Sequence, residues 1–339
     1  MRSKKTVRLN ANENFYGCSP DVIEAIKGKV NDVHYYPEYH PSMLESEIAA
    51  KLKLLPTNIV AGAGSVRIIE GLIYSLVDRK EEVITFEKSF AMYNIITRGQ
   101  GKVCRIAEQK DFVNDIENIF PLISKKTKLI FIDNPCNPTG TIISHKSIEK
   151  LLKNISKRIF VVLDEAYCEY VNDSKYPDSY KLFKKYPNLI ILRSFSKIYG
   201  LAGMRIGYAA GNEQTITKLK ESRIPYPLNY LATNAAIAAL NDSKFIAHSN
   251  KENNTERKFL YDGLIKAGVK TIPTQANFLF VYFDHNIEKE KLFTSLLAEN
   301  ILVCDLSIFG FDKCLRIGVG DRAVNKRIIE CVQKKKSIL

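Results

Sequence analysis

The chain has 339 residues, 45% of them hydrophobic, enough to bury a large core and to divide it between a large and a small domain. Its formal charge of +13 is spread along the length apart from a short Lys334-Lys335-Lys336 run, and no nucleic-acid motif accompanies it, so it reads as a solvated basic surface that favours anionic ligands. No apolar run approaches the ~18 residues of a membrane span. The polar opening MRSKK lacks the apolar core of a secretory signal, and the seven scattered cysteines and five histidines have neither C-x-x-C nor metal-ligand spacing. A cytoplasmic protein with free thiols is expected, with no metal, membrane or nucleic-acid partner.

The first shaped segment is 10–17, NANENFYG, whose density of Asn and Gly indicates a loop. Ser19 then caps a short helix with Pro20 at its first position. Tyr35-Tyr36-Pro37 reads as a turn ahead of a helix over 42–54. A strand over 58–61 runs into Gly62-Ala63-Gly64-Ser65 and a helix over 66–77. Such a turn aims backbone N–H groups at an anion, although many strand–helix joints use glycine for the turn alone. A strand over 83–86 leads to Ser89-Phe90 at the start of another helix. The strand over 128–133 ends in NPCNPTG (134–140), whose two Asn-Pro steps exclude a helix start and force a rigid turn suited to a cis X-Pro bond. An apolar strand over 159–163 fits a central parallel position covered on both faces. It ends in DEAY (164–167), where a carboxylate closing a buried strand demands a partner.

The strand over 189–192 opens onto RSFSKIYGLAGMRIGY (193–208). Lys197 stands just past its carboxyl end, the edge at which open α/β sheets place their ligands. A lysine there reads either as a solvated loop residue or as an amine that captures an aldehyde as a Schiff base. Ser194, Ser196 and Arg205 close by suit a phosphate, and aldehyde capture beside phosphate capture describes pyridoxal 5'-phosphate. A strand over 205–210 and helices over 230–240 and 244–267 follow. Past Gly268 the order becomes strand (278–282), helix (287–299), strand (315–319) and terminal helix, a compact α+β unit. Arg316 interrupts the last strand, where an arginine fork suits a substrate carboxylate or an internal ion pair.

SFSK and GLAGMRIG, preceded by NPCNPTG and DEAY, resemble the fold-type I aminotransferases, and more narrowly their histidinol-phosphate aminotransferase branch, over about residues 10–320. The resemblance implies an α/β fold, with a large domain whose mostly parallel sheet is flanked by helices and a small α+β domain. The expected divisions are an N-terminal arm with part of the small domain (1–30), a large cofactor domain (31–240) and a small C-terminal domain (241–339). Implied catalytic residues are Lys197 as cofactor anchor and base, Asp164 at the pyridinium nitrogen, and Tyr167 with Asn137 at the 3'-oxygen. Phe90 is implied as the ring stacked on the pyridine, though an aromatic at a helix start also reads as core. Gly64, Ser65, Val66, Ser194, Ser196 and Arg205 are implied around the phosphate, joined by Tyr36 from the partner subunit of a homodimer. Asn12, Tyr16, Asn277 and Arg316 are implied on the substrate side, Asn12 and Tyr16 reading equally well as packing.

Three positions depart from the family pattern. Phe15 replaces a proline of the arm, Val66-Arg67 replaces two acids, and Cys304 stands where many relatives carry an arginine that helps hold the substrate phosphate. The implied reaction moves an amino group from glutamate to a small phosphorylated ketone or aldehyde. The same residues would serve another phosphorylated ketone such as dihydroxyacetone phosphate, or the decarboxylation of a phospho-amino acid. A non-catalytic binding protein would be expected to lack Lys197.

Overall fold

The computed structural model describes residues 6–109 and 111–336; the MRSKK opening lies outside them. Among the described residues the strands are β1 (Val7–Arg8), β2 (Ile59–Gly62), β3 (Glu82–Phe86), β4 (Val103–Ala107), β5 (Thr127–Asp133), β6 (Phe160–Asp164), β7 (Leu189–Ser194), β8 (Gly207–Ala210), β9 (Lys270–Thr271), β10 (Phe278–Tyr282), β11 (Ile301–Leu302), β12 (Cys304–Asp305) and β13 (Cys314–Gly318). Seven of them form a sheet in the order β2-β8-β7-β6-β5-β3-β4. Its neighbours pair in parallel except at β8, which runs antiparallel to both β2 and β7.

A parallel sheet must bury both faces, and successive side chains of a strand point to opposite sides. The central strands satisfy this with almost unbroken apolar runs. Ile130, Ile132, Val161 and Leu163 enter one core layer, while Leu129, Phe131 and Val162 enter the other. Helices Ser65–Leu76, His145–Asn154, Ser179–Lys185 and Glu213–Glu221 accompany the sheet, the last three capped by the side chains of Ser144, Asp178 and Asn212. A smaller antiparallel sheet, β12-β13-β10-β9, buries Leu279, Val281, Leu315 and Ile317 in a separate core with Leu260 and Leu264 of helix Ser243–Lys266 and Ile328 of helix Arg322–Lys336. The arm joins this unit through β1, which pairs in parallel with β11. The fold is thus α/β with a mostly parallel large sheet and a small α+β unit. Among the described residues no helix is long and apolar enough to cross a membrane.

The expected elements appear within a few residues, with instructive differences. The strand expected from 205 begins at Gly207, because Arg205 sits at φ 56°, a left-handed conformation that strands exclude. The helix expected from 89 begins at Met92, and the Phe90 N–H ahead of it donates to the Asp133 carboxylate. Edge strand β4 and helices His145–Asn154, Ser179–Lys185 and Glu213–Glu221 are additions. The expected cis bond is found at Asn134-Pro135.

Candidate active site

The carboxyl ends of β5, β6 and β7 open into a cavity of about 470 Å³. One pole is built for an anion. Ser65 and Val66 begin a helix whose N-cap, Gly64, provides no side-chain acceptor, so the N–H groups of its first turn stay available to a ligand. Ser194 and Ser196 line the same pole, with the Ser196 N–H donating to Ser194 Oγ at 3.0 Å. Arg205 extends over Gly64, donating to Ala202 O at 2.9 Å and Ser196 Oγ at 3.4 Å. A Cβ on Gly64 would lie 2.6 Å from Arg205 Nη2, so the cradle requires glycine there.

The opposite pole is acidic. Asp164 ends β6 and is only 4% exposed. Its Oδ2 accepts from Tyr93 OH at 2.8 Å and its Oδ1 from Ala166 N at 3.1 Å. Burial pushes its carboxyl up to about 6 despite those bonds. Beside it in the ladder stands Asp133, the last residue of β5, equally buried and raised to about 7 by burial and by Asp164.

Lys197 lies between the poles. Burial and the guanidinium groups of Arg316 and Arg205 bring its amine down to about 8, against the pull of Glu13. Its Nζ donates to Ala11 O at 3.1 Å and lies 5.5 Å from the centre of the Tyr167 ring. Tyr167, held above its ordinary range at about 12 chiefly by burial, receives the Asn12 amide on its hydroxyl at 2.9 Å. Arg316 donates to Asn137 Oδ1 and, at 2.8 Å, to Asn10 O. Because Arg316 takes the carbonyl end of Asn137, the amide nitrogen is left as a donor. Phe90 lines the cavity edge-on to Tyr93, with ring centres 5.5 Å apart.

Three expected site residues lie elsewhere. Asn277 is buried beneath the arm, where its amide donates to Asn12 O and Glu13 O at 3.1 and 3.2 Å. It positions the arm and does not line the cavity. Tyr16 faces the His248 ring, and burial with Glu252, Glu256 and Asp321 raises its hydroxyl to about 12. Tyr36 is 81% exposed and leans on Tyr226, ring centres 4.8 Å apart, so it does not enter the cavity of its own chain. Of the three departures, Phe15 packs against the small core, Arg67 pairs with Glu70, and Cys304 is the register partner of Arg316.

Asp133, Tyr93, Glu13 and Phe309 also line the cavity and were not singled out from the sequence. Asp133 and Asp164 are both acids closing apolar strands, so the argument that flagged one applied to the other.

Comparison with known proteins places this geometry. The family described as aminotransferase class I and II matches residues 4–332. A histidinol-phosphate aminotransferase of Carboxydothermus hydrogenoformans is 38% identical over 327 residues, 95% of this chain and 89% of that protein. The crystal structure of histidinol-phosphate aminotransferase from Clostridium acetobutylicum superposes with a TM-score of 0.89 at 27% identity, covering 98% of this chain and all of that one (100%). The Sinorhizobium meliloti histidinol-phosphate aminotransferase, crystallised with pyridoxal-5'-phosphate, shares the fold at a TM-score of 0.90 and 24% identity, with 99% of this chain and 93% of that one covered. On the length of the match and the level of identity, the chain belongs to the class I and II aminotransferases.

Proposed function

We propose that the chain is a pyridoxal-phosphate aminotransferase that moves an amino group from glutamate to a small phosphorylated ketone, imidazole acetol phosphate, giving the histidinol phosphate for which its relatives are named. The observation that carries the reading is the opposition, across one cavity, of an anion cradle and a buried carboxylate with a near-neutral lysine between them. These residues fit the cofactor. Ser65, Val66, Ser194, Ser196 and Arg205 would hold its phosphate, Asp164 its ring nitrogen, Asn137 and Tyr167 its 3'-oxygen, and Phe90 its face. Bound there, the cofactor supplies an electron sink for charge developing at the substrate's Cα.

The chain's own residues supply the rest. Lys197, depressed to about 8, has a free amine in a useful fraction of molecules near neutrality, so it can bond to a carbonyl carbon and, once released, take a proton from Cα. Asp164, ionised once a cation faces it, keeps the ring nitrogen protonated. The Arg316 fork faces the cavity and offers a donor pair to the acidic group of donor and acceptor in turn. Cys304 beside Arg316 leaves this corner with one guanidinium, which supports a second reading in which the acceptor is another phosphorylated ketone such as dihydroxyacetone phosphate.

The test is spectroscopic. Glutamate should move the bound-cofactor band from about 420 nm toward about 330 nm. Imidazole acetol phosphate should restore it, and a Lys197→Ala protein should lose turnover by at least a thousandfold together with the borohydride-fixable cofactor. Recovery only with dihydroxyacetone phosphate would select the second reading. Carbon dioxide release from a phospho-amino acid with no glutamate response would make the enzyme a decarboxylase.

A further inference from the structure

Resting on the cofactor assignment above, we propose that Asp133 is a positioning residue for the cofactor ring, a clamp that ties the backbone of Phe90 and the backbone of Asn137 to one point at the sheet edge and so sets the gap the ring enters. Asp133 Oδ2 accepts both the Phe90 N–H, at 3.1 Å, and the Asn137 N–H, at 2.8 Å. Those residues come from different loops, one after β3 and the other after β5, which are also joined beside them by Cys136 Sγ donating to Lys88 O at 3.0 Å; Asp133 is the acceptor shared by the Phe90 and Asn137 N–H groups themselves. Phe90 would cover the ring's face and Asn137 its 3'-oxygen, so a single carboxylate oxygen fixes the spacing between the two contacts.

The second oxygen has no partner among the described residues. Asp133 is 4% exposed and lines the cavity, yet its Oδ1 has no hydrogen-bond partner. Its ladder neighbour is Asp164, so two buried acids close adjacent strands on the same cavity. A pair of this kind is costly unless a cationic group meets it, and a protonated pyridine nitrogen at Asp164 provides that group. The groups facing Asp133 are Asp164 on β6, the Tyr93 hydroxyl on helix Met92–Gly99, the Cys136 thiol in the turn and the Tyr167 hydroxyl, and Lys197 acts on the neighbouring Asp164, so among the described residues no basic side chain is seen to pair with Asp133 itself.

The experiment is titration of the apoprotein with pyridoxal 5'-phosphate, read by absorbance and by circular dichroism of the bound ring, with inorganic phosphate as competitor. Asp133→Leu keeps the branched skeleton, at a larger volume, and removes the acceptor. It should weaken cofactor binding at least tenfold and alter the ring's dichroism while leaving phosphate affinity within twofold. Asp133→Asn keeps an oxygen for both N–H groups and should bind within threefold of wild type at pH 8. Between pH 8 and pH 6 wild type should lose ground relative to Asp133→Asn, since an ionised carboxylate holds the two N–H groups more strongly than its protonated form and the amide does not titrate. Unchanged binding and dichroism in Asp133→Leu, an equal loss for cofactor and phosphate, or (should that variant not fold) a constant wild-type to Asp133→Asn ratio across pH, would overturn the proposal. Wild type that binds no cofactor would instead end the functional reading itself.

Discussion

At the residue scale, the site stores acids and a base away from their ordinary ionisation. Asp164 stays protonated until about pH 6 in the folded apoprotein, whereas an unfolded aspartate ionises near 3.8. The folded state therefore binds more protons between those values, and stability falls as pH rises through them. Asp164→Asn should thus make the apoprotein more stable than wild type at pH 8, by on the order of 2 kcal/mol, with the gain shrinking as pH falls through 6 towards 4. Urea denaturation of both apoproteins across that range checks it, and a pH-independent difference would contradict it. The same variant should lose transamination, because an amide does not hold the ring nitrogen protonated. Most of this scale was legible in the sequence. Lys197 and Asp164 announce themselves by standing at or just past the ends of buried strands, Asn137 through the resemblance that NPCNPTG carries, and the three line one cavity. Asn277 gives no such sign, because whether an asparagine faces a cavity or the underside of an arm depends on a contact with residues 12 and 13 that no local pattern encodes.

At the element scale, the cofactor-lysine loop and the N-terminal arm meet at a glycine that admits no substitute. Gly200 has φ 71°, and a Cβ on it would lie 1.9 Å from Gly17 O and 2.6 Å from Gly17 C, both backbone atoms that cannot swing aside. Gly200→Ala should cost about 2 kcal/mol or more, whereas a Cβ on Gly203, three residues on, meets nothing within 4 Å and Gly203→Ala should be nearly neutral by the same denaturation assay. Equal losses in the two variants would contradict this account. Central strands were readable because parallel sheets demand continuous apolar runs. Edge strand β4 was not, since Val103 and Arg105 face outward and its five residues read as irregular chain.

At the scale of the whole molecule, the cavity described above is lined by residues of one chain, and Tyr36 is not among them. It is exposed beside Tyr226 and absent from its own cavity. If it completes the phosphate pole of a second copy, Tyr36→Phe alone should weaken cofactor binding about tenfold. Hybrids of Tyr36→Phe with Lys197→Ala subunits should then regain one site of wild-type affinity, since the intact Lys197 receives Tyr36 from the other chain. Hybrids no better than Tyr36→Phe alone would place that tyrosine outside the shared site.

The antiparallel return of β8 along β7 has a consequence for the order in which the site assembles. Lys197, both serines and Arg205 lie on one loop closed by the pairing of Ser194 with Gly207, a short-range closure that costs the chain little entropy. Asp164 and Asn137 wait on parallel crossovers, and Arg316 arrives from a strand more than a hundred positions later. Local closures form ahead of distant ones. In refolding, the loop that carries Lys197, both serines and Arg205 would therefore close before Asp164, the Ser65 turn and Arg316 are brought to it.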